Sequence, residues 1–557
     1  MNIRFFVALV LTAVVIVITP LIFRTNSGPV PVAVNADSLA HVTPSGTPTE
    51  LKPPSTALVA PLAGVPAPQS GGSADSATVA TKFSTYTTTA RGAALTSIVL
   101  DSTYRSLRPD AKGKRIQLVG TSGRLADYTL LLGRDTIRLD TVSFTTERGG
   151  IAGSTQTVAY QAALTGHTIR LEYVFGAGAT NSYLVHVTAS VSNAPSGSAL
   201  AVQLPQTLRS NEPDTLDDVN HLAVSYRTGR GDVSSIAFSK LDSTEVRVEP
   251  GPLNWVATRN KYFLVAYRSL KTPFSLLQLQ GAPRTGKVAT RAFGSALLPI
   301  GQDGSATFEV YAGPQNFERL QQLGGDLDQV NPYGSSWLRP IVQPFATIVM
   351  KALLWMKRTT QLNYGWVLVL FGVIIRLVLW PLNQGAMRTS MKMQRLQPEL
   401  QALQKKYSDD PKKQQEAIMK LYKEHGMSPL SPLMGCLPML LPMPVLFALY
   451  YVFQNTIEFR GVPFLWLPDI SLRDPFYITP LLMGASMYVM SWIGMRNSPP
   501  NPQAKMMSYM MPVMLTVLFL NFASGLNLYY AVQNIAALPQ QWLLARERAR
   551  NPSPRPA

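Results

Sequence analysis

The sequence predicts a multi-domain membrane protein: an α-helical transmembrane bundle of six spans, five of which form a C-terminal core, joined to a large antiparallel β-sandwich outside the membrane. Three observations carry this expectation. The 557-residue chain is 46% hydrophobic with a mean hydropathy of +0.08, high for a soluble protein of this length. Apolar runs crowd its C-terminal part, whereas the middle alternates β-branched or aromatic residues with polar ones between Gly, Asn and Asp. The net charge of +18 is concentrated in segments that flank apolar runs, a distribution that membrane topology explains more simply than nucleic-acid binding does.

Arg4 precedes Phe5 to Ile18 and Pro20 to Phe23, which together form an N-terminal anchor over 1–24. At about 1.5 Å per residue such a helix crosses a hydrocarbon core of about 30 Å. Val34 and Ala36 offer a cleavage motif, but they lie well past the apolar run, and the following domain is external whether or not cleavage occurs. Residues 25–77, rich in Pro, Ala, Ser, Thr and Gly, read as a flexible tether that cannot bury a core.

Residues 78–325 read as the β-sandwich, with clear alternation in Thr168-Ile-Arg-Leu-Glu-Tyr-Val-Phe175 and Tyr183-Leu-Val-His-Val-Thr-Ala-Ser-Val191. The strands end near Phe308 to Gly313, and Pro314 to Leu323 reads as a short helix. Cys436, the one cysteine, falls in a predicted span, so this domain depends on core burial without a disulfide.

Over 335–360, Ile341, Val342, Phe345, Ile348, Val349, Ala352 and Met356 share a helical face, with Gln343, Thr347, Lys351 and Arg358 largely opposite. This pattern predicts an amphipathic helix at the outer membrane surface, or else one that caps the β core.

The helical core occupies 361–546, with spans beginning near Gly365, Pro429, Phe476, Met506 and Leu526. A helical hairpin at 386–427 interrupts it, carrying Leu396, Leu400, Leu403 and Tyr407 at helical spacing. Asp410 followed by Pro411 is a helix start, with a capping carboxylate and then a ring suited to the first turn. Basic residues of the hairpin, including Lys405, Lys406, Lys412 and Lys413, and of the tail 547–557 put both segments in the cytoplasm. With six spans the N-terminus is cytoplasmic too. The basic hairpin is either an ordinary solvated face or a surface for ribosomal RNA or anionic lipid.

Arg376 is the most informative residue, because it lies within the apolar run Trp366 to Trp380 and no Asp or Glu occurs in the spans to pair with it. Burying an unpaired cation in hydrocarbon costs from roughly 3 to over 10 kcal/mol, so such an Arg faces a wet cavity or a polar partner. A competing reading lets its long side chain snorkel to the cytoplasmic interface, since Pro381 is only about 7 Å away along a helix. In the last span, Asn527, Tyr530, Asn534 and Gln541 share a stripe with Gln533 and Gln540 beside it. They line a polar interior or serve as interhelical hydrogen-bond glue. Met506, Met507, Met510, Met511 and Met514 suit an adaptable apolar surface or a plain core.

Taken together, Arg376, Trp380-Pro-Leu382, Met393-Gln-Arg-Leu-Gln-Pro398, Gly435-Cys-Leu-Pro438, Met443-Pro-Val-Leu-Phe-Ala-Leu-Tyr-Tyr451, Asp474-Pro-Phe-Tyr477, Pro480-Leu-Leu-Met-Gly484 and Ser524-Gly-Leu-Asn-Leu-Tyr-Tyr530 closely resemble the YidC/Oxa/Alb family of membrane protein insertases. Asn254-Trp-Val-Ala257, Tyr262-Phe263 and Tyr311-Ala-Gly-Pro314 resemble the periplasmic domain of its Gram-negative members. The resemblance implies a multi-pass protein of the bacterial inner membrane that inserts and folds nascent membrane proteins, alone or beside the Sec translocon. Its further implied partners are the ribosome, the signal recognition particle pathway and the lipid bilayer. It also implies a hydrophilic groove in which Arg376, Tyr530, Asn527, Asn534 and Gln533 meet the client, and a hydrophobic slide on spans 3 and 5 through Leu446, Phe447, Met510 and Met514. No catalytic residue, metal or cofactor is implied. Two departures remove polar groove contacts: Gly372 stands where the family often has a hydroxyl residue, and Pro442 where it often has Gln.

The alternative of a secondary transporter with an external ligand-binding domain lacks the intramembrane carboxylates that usually couple ions. A glycan-directed enzyme is also weakly supported, because His41, His167, His186 and His221 show no metal or triad spacing.

Overall fold

The computed structural model describes residues 76–381 and 396–550 with breaks, among them 121–122, 153–154, 177–182, 285–287, 334–338, 397–398, 404–405, 425–442 and 496–501. The predicted anchor 1–24, the tether up to residue 75, Lys405, Cys436, Pro442, the expected start of the third span near Pro429 and the end of the tail lie outside the described residues.

Residues 76–314 form two antiparallel sheets, one of four strands and one of fourteen. In His167–Phe175 the inward positions are Ile169, Leu171, Tyr173 and Phe175, two residues apart as strand geometry requires. Leu184–Val191 pairs with it antiparallel, Val187 opposite Tyr173. The central ladder runs Arg247–Arg259, Phe263–Ser269, Ser305–Pro314, Leu184–Val191, His167–Phe175, Thr155–Leu164. The smaller sheet stacks on this ladder: the Tyr86 and Phe175 ring centroids are 5.2 Å apart, and the Thr88 and Tyr160 hydroxyls share a hydrogen bond of 2.7 Å.

Helix α1 (Thr215–Asn220) is capped by Asp214, which accepts from the Asp217 N–H, and α2 (Phe317–Leu323) by Asn316, which accepts from that of Arg319. Each short polar side chain satisfies a first-turn N–H that has no partner within the helix. Trp255 is fully buried and donates its indole N–H to the Gly325 carbonyl at 2.6 Å, tying the segment after α2 to the sheet.

The helical region comprises α3 (Arg339–Thr360), α4 (Tyr364–Val378), α5 (Pro411–Glu424), α6 (Met443–Asn455), α7 (Ile478–Met495), α8 (Pro502–Phe519) and α9 (Ser524–Arg550). Its core gathers Val342, Leu353, Phe371, Leu449, Phe453, Met483, Leu526 and Tyr529. Among the described residues, α7 alone is one helix long and apolar enough to cross a membrane; Val342–Thr360 and Tyr364–Val378 qualify only as a pair, bent by 118°.

Helix α3 differs from the single apolar face read from its sequence. Val342, Val349 and Met356 pack into the helical core, whereas Phe345 and Ile348 are exposed on a second apolar stripe with Trp355. Its apolar residues cover more of the circumference than one contact can bury, so one stripe meets α4 and α6 and the other faces outward.

The loop between α6 and α7 joins the two parts. Ile457 is buried in the β core and Phe459 in the helical core. The neighbouring Glu458 accepts from the Asn316 side chain at 2.9 Å and from the Phe317 N–H at 3.1 Å. Farther along, Asp474 accepts from the N–H groups of Phe476 and Thr479 at the start of α7. Gly484 of α7 lies so close to α8 that an added Cβ would stand 1.9 Å from Thr516 Oγ1.

Candidate functional site

Arg376 is half-buried one turn from the end of α4. Its Nη2 donates to Oε1 of Gln540 on α9 at 2.8 Å. Its Nε, shielded from solvent, has no protein partner. Gln540 is 2% exposed and donates its own Nε2 to the Trp380 carbonyl at 3.3 Å. The cation is therefore met by a neutral amide, which offsets part of its burial cost and leaves its charge intact.

The other polar residues of the last span are distributed among different neighbours. Gln533 donates to the Tyr529 hydroxyl at 2.6 Å and to the Gly372 carbonyl at 3.5 Å, one helical turn before Arg376. The absence of a side chain at Gly372 opens its carbonyl to this contact; an added Cβ would stand 3.1 Å from Val532. Asn534 donates to Ser486 Oγ on α7 at 3.1 Å. Asn527 is fully buried and donates to the Phe519 carbonyl at 3.1 Å, holding the turn between α8 and α9. Gln533 thus lies beside the Arg376 face, while Asn527 and Asn534 bond to other helices. Tyr530 packs edge-on against Phe519, with ring centroids 5.6 Å apart.

Phe519 is also in the wall of an apolar cavity of about 860 Å³ between α6, α7, α8 and α9, with Phe447, Tyr450, Met487, Met507 and Met511. Of the slide residues expected from the sequence, Phe447 lines this cavity. Met510 and Met514 lie 37% and 41% exposed on the outer side of α8, and the Leu446 side chain is outside the described residues. From α8 it is Met507 and Met511, one turn apart, that line the cavity. Arg376 is not part of the cavity wall.

At the start of α5, Asp410 Oδ1 accepts from the N–H groups of both Lys412 and Lys413, at 3.2 Å each. Lys406, Lys412 and Lys413 are exposed. Within reach of an ion pair, the Lys413 Nζ lies 3.3 Å from Asp410.

Gln540 is the partner that sequence reasoning placed beside the stripe without assigning it to the site. Matching depth was the available signal: Arg376 lies just before the end of α4, and Gln540 just before the basic end of α9. The two helices run parallel, with Phe371 beside Tyr529, Gly372 beside Gln533 and Arg376 beside Gln540, so positions near their C-terminal ends meet at one level.

Residues 76–348 match the family profile described as the YidC periplasmic domain, and 355–551 the one described as the 60Kd inner membrane protein. The membrane protein insertase YidC of Chlorobaculum tepidum is 30% identical, with 88% of this chain and 87% of that one covered. That of Azotobacter vinelandii is 31% identical over 67% and 66% of the two chains. A crystal structure titled as an active YidC insertase with its first transmembrane domain resolved covers 85% of this chain and 93% of its own, at 20% identity and a TM-score of 0.34. By its extent of match to these relatives, this chain belongs to the YidC family of membrane protein insertases.

Proposed function

We propose that this protein inserts and folds nascent membrane proteins in the bacterial inner membrane, alone or beside the Sec translocon, with clients arriving from the ribosome or the signal recognition particle pathway. Six spans, five of them in the core, place both termini in the cytoplasm and the β domain in the periplasm. Arg376 is the fixed charge of a solvated groove, and the observation that carries this reading is its amide partner: a guanidinium bonded to neutral Gln540 retains its positive charge for an acidic client. Tyr530, Gln533, Asn527 and Asn534 keep the surrounding helices in register, and Tyr530 and Gln533 also border the client path. Polar client segments enter partway against the groove, which lowers the cost of moving them through hydrocarbon. Apolar segments leave along spans 3 and 5 past Leu446, Phe447, Met510 and Met514, where the methionines fit varied side chains. Burial of client apolar surface at about 25 cal/mol per Å² supplies the driving force. Lys405, Lys406, Lys412 and Lys413 form the cytoplasmic docking surface.

The full chain in proteoliposomes, supplied with a small two-span client, tests this reading. The expected result is protease-protected client that depends on the protein; insertion equal to that in empty liposomes contradicts it.

A further inference from the structure

The Gln540 amide is used at both ends. Its oxygen accepts from Arg376 and its nitrogen donates to the Trp380 carbonyl, just past the end of α4. The last carbonyls of a helix have no partner within it, so the Trp380 bond fixes which way round the amide lies. With Gln540 only 2% exposed, water does not compete for either bond. A long arginine next to a helix end is otherwise free to swing toward the aqueous interface. Here one arm is tied to α9, and the enclosed Nε is left without a protein partner.

We propose that Gln540 is a positioning residue for insertion: it holds the Arg376 guanidinium at groove depth, and because it is neutral it leaves the whole positive charge for an acidic group of the client. This rests on the groove reading of Arg376. A carboxylate at position 540 would still accept from the guanidinium, but it would cancel the charge and lose the donor to the Trp380 carbonyl. An apolar residue of similar size would spare the charge and release its position.

Full-length variants in proteoliposomes are compared on one single-span client whose translocated tail carries Asp, and on the same client with Asn in those places. Gln540→Glu is expected to lower insertion of the Asp client on the order of tenfold, the factor corresponding to about 1.4 kcal/mol. Insertion of the Asn client stays near wild type and reports a folded protein. Gln540→Leu lowers the Asp client less, and supplies the same comparison if Gln540→Glu does not accumulate. In an Arg376→Ala background neither substitution has a further effect on the Asp client. Equal loss of both clients overturns the proposal, since that is a structural defect. Full Asp-client insertion by both Gln540 variants, with Arg376→Ala impaired, overturns the proposal alone. Full activity of Arg376→Ala overturns the groove reading on which it rests.

Discussion

Arg460 donates from Nε to Glu212 Oε1 at 2.7 Å, with side chains only 2% and 6% exposed, and so pins the loop after α6 to the β domain. Its other nitrogens donate to the carbonyls of Arg105 at 2.9 Å and Asn211 at 3.1 Å, and the guanidinium lies 5.6 Å from the Phe263 ring centroid. A buried ion pair need not stabilise relative to an apolar pair, but breaking it strands a charge. Arg460→Met is therefore expected to destabilise the full chain by about 3–5 kcal/mol, and Glu212→Gln by less because its amide still accepts from Arg460. Thermal unfolding in nanodiscs checks the order; equal stability of Arg460→Met and wild type would contradict the latch.

Glu458 provides a pH dependence at the same junction. Burial raises its carboxyl to about 7, opposed by the N–H of Phe317 and reinforced by Glu318. Tyr104, Tyr333 and Tyr364 also face it, and among the described residues no cation pairs with it. A carboxyl raised on folding binds its proton more tightly in the folded state. Its contribution is complete below the ordinary glutamate range and is lost as pH rises through about 7. Hydrogen exchange of the Thr456 to Arg460 segment is expected to be slower at pH 5 than at pH 8, after correction for intrinsic rates. Glu458→Gln should flatten that difference; an unchanged difference would exclude Glu458 as its source.

Helices α7 and α8 approach closely at Gly484. Gly484→Ala places a methyl against Thr516 Oγ1 and is expected to cost about 1–3 kcal/mol. Thr516→Ala removes that hydroxyl and leaves Thr516 Cβ 3.1 Å from the new methyl in the present geometry, so the double variant should recover most of the loss. Additive losses in thermal unfolding would show that the two positions do not touch.

The alternating strands were legible from sequence because a half-buried sheet writes its period into the chain, as His167–Phe175 does with every second residue inward. Arg376 was legible because a cation among apolar residues is conspicuous. The partners of Asn527 and Asn534 were not, since helical spacing identifies a shared stripe but not the element opposite it. Asn527 bonds back across the turn to Phe519 at the end of α8, and Asn534 crosses to Ser486 on α7. Helix α3 was misread in part for a related reason: a wide apolar circumference does not say which stripe meets protein.

The central claim is that position 376 lines a hollow reached by water. Cys436 is the chain's one cysteine, so Cys436→Ser with Arg376→Cys gives a single reporter, and Cys436→Ser with Lys412→Cys an exposed control. Inverted membrane vesicles are treated with a charged, membrane-impermeant methanethiosulfonate reagent. Labelling of the residue 376 variant at a rate approaching that of the control is the result expected. A 376 variant that stays unreactive while the control labels fully would contradict the solvated groove and the role assigned to Arg376.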